Sequence, residues 1–142
     1  MRLVTLCLLV GLGALSSSAS AHHSYAMFDQ ARRLSIEGTV RAVEWTNPHV
    51  WVWVDVDDGK GGVVPYGFEA QAPSELQRFF GWTKTSLKSG DRVTVHYAPL
   101  RSGKNGGALR TLEMADGREL LTGRSNPPPA ARPEAAQPGA PQ

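Results

Sequence analysis

One stretch constrains the fold of this chain more than any other. It runs Trp45-Thr46-Asn47-Pro48-His49-Val50-Trp51-Val52-Trp53-Val54-Asp55-Val56-Asp57 and holds three of the four tryptophans. From the Pro-His pair onward it alternates strictly. Val50, Val52, Val54 and Val56 fall on one side; His49, Trp51, Trp53, Asp55 and Asp57 fall on the other. Period-two alternation of β-branched residues against polar and aromatic ones is the pattern of a strand with one face in a core. The Val face is core, and the His49-Trp51-Trp53 face is what a ligand would meet.

The neighbouring segments read as more strands. Leu34 to Trp45 precedes it, with Leu34, Ile36, Val40 and Ala42 inward. Gly38 and a parity slip after Ala42 predict a bulge or sharp bend, as in a strand that coils around a barrel. Thr46-Asn47-Pro48 is a turn, because Pro fixes its own φ and biases Asn47 towards extended geometry. Asp58-Gly59-Lys60-Gly61-Gly62 is a hairpin loop, followed by a third strand over Val63 to Ala70, where Pro65 suits an edge or a bulge. A short helix is expected over Pro73 to Phe80. Ser74-Glu75-Leu76-Gln77 has capping-box spacing, Leu76, Phe79 and Phe80 form an apolar side, and Gly81 is a stop. Asp91 to Ala98 is a fourth strand with Val93, Val95 and Tyr97 inward. Arg101 to Gly107 is a loop by composition, and Ala108 to Ala115 a fifth strand with Leu112 and Met114 inward. Arg118 to Leu121 is a final short extension.

The order is β-β-β-α-β-β. It predicts an all-β fold with one short helix, a five-stranded OB-like Greek-key barrel. The rival is an antiparallel sheet with the helix packed across it. OB barrels tend to bind ligands on the face of strands two and three, which here carries His49, Trp51 and Trp53.

Both ends of the chain read differently. Arg2, the apolar run Leu3 to Leu15 and the small residues ending in Ala19-Ser20-Ala21 predict a secretory signal, residues 1–21, and a periplasmic or secreted protein. The apolar run is too short to span a bilayer comfortably, so no membrane anchor is expected after cleavage. Cys7, the single cysteine, lies inside that run, and the mature chain is left without disulfide or thiolate chemistry. Residues 22–121 form the domain. From residue 122 Pro, Ala and Gln dominate, and this tail is expected to be disordered. Removing Arg2 leaves 14 basic against 13 acidic side chains, with no block of like charge. That balance, with export, argues against nucleic acid as a partner.

Four histidines remain in the mature chain: His22, His23, His49 and His96. Cleavage after Ala21 gives His22 a free α-amine. Amine and imidazole of one residue chelate in a plane, and a third nitrogen completes a set that suits Cu(II) with its tetragonal preference. Cleavage after Ala19 instead places His22 third from the terminus, where amine, two amides and imidazole make a square-planar set for Cu(II) or Ni(II). His49 or His96 can supply the third nitrogen, with His23 as another candidate. The blander readings are that His49 caps a strand through a backbone hydrogen bond and that His96 is an exposed strand residue. Trp51 and Trp53 either form a stacking platform for a sugar, heterocycle or peptide, or pack beneath the lead-in through Tyr25, Met27 and Phe28. Asp55-Val56-Asp57-Asp58-Gly59 fails as a calcium loop, because its Gly comes one place early and Tyr66 stands where a Glu is required. No G-x-S-x-G elbow, phosphate loop or paired-carboxylate signature is present.

Several of these motifs occur in an order that resembles a family of small exported bacterial proteins of unknown function. They are His22-His23-Ser24-Tyr25, Glu44-Trp45-Thr46-Asn47-Pro48-His49-Val50-Trp51, Gly67-Phe68-Glu69, Gly81-Trp82-Thr83, Leu87-Lys88-Ser89-Gly90-Asp91 and Val93-Thr94-Val95. The resemblance implies a periplasmic protein with a single compact domain, and implies no known activity. It places His22, His23 and His49 inside its motifs and His96 outside them. The expectation is therefore a non-enzymatic exported binding protein. It takes copper or another metal through His22, His23 and His49, or else a small ligand, sugar or protein on the Trp51/Trp53 face.

Overall fold

The computed structural model describes residues 25–123. The expected signal segment, His22, His23 and most of the expected tail lie outside the described residues. Six strands and one α-helix follow in order: β1 (Leu34–Glu44), β2 (Trp51–Asp57), β3 (Val63–Glu69), α1 (Pro73–Phe80), β4 (Arg92–Pro99), β5 (Gly106–Met114) and β6 (Glu119–Leu121). A 3-10 turn, Tyr25–Met27, precedes them. The sheet order is β3-β2-β1-β4-β5-β6, and a parallel β3–β5 pairing closes the first five strands into a barrel. The expected OB-like order is the one observed, with β6 added antiparallel to β5.

Strand β1 makes closure possible by serving two neighbours. Its first half, Leu34 to Thr39, pairs with β4, and its second half, Thr39 to Glu44, pairs with β2. The register slips between Val40 and Ala42, at the bulge expected from the parity change. At Gly38 the strand passes so close to β2 that a Cβ would lie 2.5 Å from Val54 Cγ1 and 2.6 Å from the Asp55 carbonyl oxygen. Only a residue without a side chain permits that crossing. The Asn47–Pro48 peptide bond is cis.

Inside the barrel, Val40, Val50, Val52, Val54, Phe68, Val93, Val95, Tyr97, Leu109 and Leu112 form one buried cluster. Each full burial of such a side chain is worth roughly 1.5–3 kcal/mol relative to exposure. Trp82, which carried no structural expectation, belongs to this cluster and donates its indole N–H to the Leu121 carbonyl at 2.7 Å.

Four expectations need correction. The helix cap is Ala72, without a side-chain hydrogen bond, and not Ser74; Pro73 already occupies the first helical turn. Leu76 is buried and Phe80 packs against the core, but Phe79 is 66% exposed. Three residues on, it is rotated about 60° off the Leu76 row, and an eight-residue helix buries only a narrow stripe. Its ring instead lies under Arg78, with the guanidinium 5.5 Å from the centroid. Gly106 and Gly107, read as loop, begin β5 and form the closing seam. Gly106 has φ 124, a conformation that side chains disfavour. Last, Thr122 is part of the domain and not of the tail. It is fully buried, with Oγ1 donating to the carbonyls of Leu109 (2.6 Å) and Arg110 (3.0 Å).

Candidate functional site

The β2–β3 hairpin determines which side chains meet on the outer face. With Asp57 opposite Val63, Trp53 falls opposite Gly67 and Trp51 opposite Glu69. Beyond Glu69 the ladder becomes irregular. The Ala70 N–H donates to the Val50 carbonyl, but the Val50 N–H goes to Gln71 and not to Ala70. The Ala70 carbonyl is thereby released from the ladder. His49 Nδ1 takes it, at 3.1 Å.

That bond orients the imidazole. Donation from Nδ1–H puts the lone pair of the neutral ring on Nε2. Nε2 lies 3.4 Å from Glu69 Oε1, with the His49 side chain 27% and the Glu69 side chain 10% exposed. Two acceptors that face each other at this separation are reconciled by a proton on Nε2 or by a cation between them. The backbone-capping reading of His49 is correct, and it is also what aims Nε2 at the carboxylate. Ligating histidines use their second nitrogen in this way.

Beside the pair, the indoles of Trp51 and Trp53 stack, with centroids 5.9 Å apart and planes inclined by 19°. Trp53 donates its Nε1–H to Glu44 Oε1 at 2.8 Å. Its six-membered ring lies across β3 above Gly67, where a Cβ would meet Cζ3 at 2.7 Å. Next along the face, Arg41 bridges to Asp55 at 2.7 Å.

The lead-in does not follow the course expected from Phe28. That residue docks in a satellite core with Ala98, Ala108 and Leu100. Hydrogen bonds from Asp29 N to the Pro99 carbonyl (2.8 Å) and from Arg101 N to the Met27 carbonyl (2.9 Å) fix it there. Arg110 reaches Gln30 from β5. Tyr25, further upstream, is 46% exposed. Burial pushes its phenol above the ordinary value of 10.0, the Glu69 and Glu75 carboxylates push it further, and Arg110 opposes them.

His96 is not gathered into this set. Its Nε2 lies 2.8 Å from Glu113 Oε1 on β4 and β5, an exposed pair separated from β2 by β1. An open groove of about 220 Å³ runs past Glu37, Arg92, Thr94 and Glu113, and includes none of the His49, Glu69, Trp51 or Trp53 side chains. Among the described residues no group of three or more His, Cys, Asp or Glu could hold a metal ion. The barrel itself thus offers two candidate ligands, His49 and Glu69. Glu69 escaped the sequence reading. The signal was there: counting back from the Asp58–Gly62 loop places it opposite Trp51.

Fold and site together define a small closed β-barrel with an imidazole–carboxylate pair and two stacked indoles on the outer face of its second hairpin. The chain belongs to a family of unknown function (DUF6152), whose family model matches residues 10–110. No curated protein and no solved structure matches it.

Proposed function

We propose that this is an exported, non-enzymatic binding protein that holds copper or another transition metal. His49 and Glu69 are the ligands borne by the barrel, and His22 and His23 are those of the mature N-terminus. The observation that carries the reading is the His49 ring, pinned through Nδ1 with Nε2 turned towards Glu69. Three residue steps lead from His22 to Tyr25, a reach of about 10 Å when extended, and the Glu69 carboxylate adds to the upward push that burial gives the Tyr25 phenol. Copper is favoured by the chemistry of a free terminal amine beside an imidazole. The Trp51 indole would serve as an apolar wall that keeps water from one side of the ion.

The test combines mass spectrometry of the mature N-terminus with titration of the processed chain by Cu(II) and by Zn(II). Removing a ligand should weaken Cu(II) binding by about tenfold or more, so both His49→Ala and a Met-extended N-terminus should do so. Unchanged affinity in the extended form would remove the amine from the site, and unchanged affinity in His49→Ala would remove the barrel. The partly exposed Trp51/Trp53 stack supports a second reading, in which a small ligand, sugar or protein binds the indoles. It separates from the first because its ligand would still bind in chelator.

A further inference from the structure

The end of the described chain leads back to the indole face. Thr122 is buried, and besides its two hydroxyl bonds its N–H donates to the Arg110 carbonyl at 3.1 Å. Gly123 then lies against the Gln71 side chain, so closely that a Cβ there would be 3.4 Å from Nε2. Gln71 accepts the Val50 N–H at 3.1 Å, and Val50 immediately precedes Trp51. The tail thus departs beside the first residues of the indole face.

The composition of that tail matches what two indoles can hold. Residues 124–142 contain no Val, Ile, Leu, Met, Phe, Tyr or Trp, but include Pro127-Pro128-Pro129. Such a segment cannot bury a core of its own. A proline run is instead preorganised as polyproline II, has no N–H groups to satisfy, and packs its rings against aromatic side chains at small entropic cost. Four residue steps lead from Gly123 to Pro127, about 12 Å at the polyproline rise of 3.1 Å per residue. Val50 to Trp53 spans three residues, about 10 Å along a strand. The linker is therefore long enough for the proline run to reach the indoles. Arg124 and Arg132 flank it, and the carboxylates of Glu44 and Glu69 border the face.

We propose that the segment Arg124 to Gln142 folds back within its own molecule, its Pro127-Pro128-Pro129 run lying across the Trp51 and Trp53 indoles. The tether makes weak contacts sufficient. A short linker gives an effective concentration in the millimolar range, so an intrinsic affinity of only about 1 mM covers the face about half the time. This inference does not depend on metal binding. The two meet in one consequence, because the covering segment passes His49.

The experiment uses the processed chain through Gln142, in chelator, against the full-length variant carrying Pro127→Ser, Pro128→Ser and Pro129→Ser. The indole N–H resonances are recorded by 1H–15N NMR, and acrylamide quenching of tryptophan fluorescence is measured in parallel. The expected result is a shift of the Trp51 and Trp53 signals in the variant and a rise in quenching of about 1.5- to 2-fold. The buried Trp82 signal, tied to Leu121, should stay in place and so certify the fold. Superimposable Trp51 and Trp53 signals in the two chains would overturn the proposal. So would a difference that vanishes on dilution, which would make a second copy's tail the occupant. Absence of Cu(II) binding in the separate titration, with the indole shift seen here, would sink the metal reading alone.

Discussion

Gly106→Ala should open the barrel. Gly106 stands opposite Gly67 in the parallel seam that joins β5 to β3. An added Cβ would lie 2.0 Å from the Gly67 carbonyl oxygen, 2.9 Å from its carbon and 3.0 Å from its nitrogen. All three are backbone atoms, so no side chain can swing aside, and the seam has to widen. Two costs follow. Holding alanine at φ 124 costs about 1–3 kcal/mol. Overpacking the seam costs about 1–3 kcal/mol more. Together they amount to about 2–6 kcal/mol, where a domain of this size has about 5–15 kcal/mol in all. Gly103→Ala is the control. Its φ is 74, but nothing lies within 4 Å of the added Cβ, so only the backbone penalty of about 1–2 kcal/mol applies. Urea unfolding of the three chains, followed by tryptophan fluorescence, measures both losses. The Gly106 variant should also melt at least about 8 °C lower, since each kcal/mol shifts Tm by about 4–8 °C in a domain of this size. If Gly106→Ala loses no more than Gly103→Ala, the seam is not the tight closure described here, and the barrel argument fails with it.

Two further outcomes follow from burial and charge. Leu76→Ala should cost about 2–5 kcal/mol, whereas Phe79→Ala should stay within about 0.5 kcal/mol of the parent; equal losses in chemical denaturation would restore the amphipathic reading of the helix. Stability should also decline above pH 10. Burial raises the Tyr97 phenol, with Tyr66 adding to the shift and Arg32 opposing it, and burial likewise raises Tyr25. A pKa raised by folding contributes stability that is complete below the unfolded value of about 10 and is lost as pH rises through the folded value. Tyr97→Phe should flatten that decline in denaturation curves taken from pH 9 to 11, and an unchanged slope would remove Tyr97 as its source.

Much of the fold was legible because the strands obey local rules. The Val50-Val52-Val54 row announces its own core face, and all three residues are fully buried. Gly38 and the slipped parity of β1 gave away the bulge that lets one strand serve two neighbours. What stayed hidden depends on contacts between distant segments. Gly106 and Gly107 read as loop because glycine has no pattern of its own; only the approach of β3, forty residues earlier in the chain, makes them a strand. Trp82 had no periodic partner and owes its burial to the barrel interior and the Leu121 carbonyl. At the site, His49 was evident from its place before the strand, but its orientation was not. That orientation follows from Val50 skipping Ala70 in favour of Gln71, a one-residue irregularity with no sequence signature. Phe28 was legible as a docking residue but not as to where, since Leu100, its bridge partner, lies seventy-two positions away.

The seam between β3 and β5 also bears on how such a chain is made. Synthesis delivers β1, β2 and β3 first, and β3 then presents bare peptide groups until residue 106 and its successors have left the ribosome. An unpaired strand is a template for any other chain that meets it. Pro65 leaves one gap in that template, because it has no N–H to offer. Gly67 to Glu69, the residues that β5 will eventually cover, have no such protection. Any state in which β1 to β3 have formed before β5 docks therefore carries a sticky edge. A holding chaperone bound to that hairpin would be of most use in such a state.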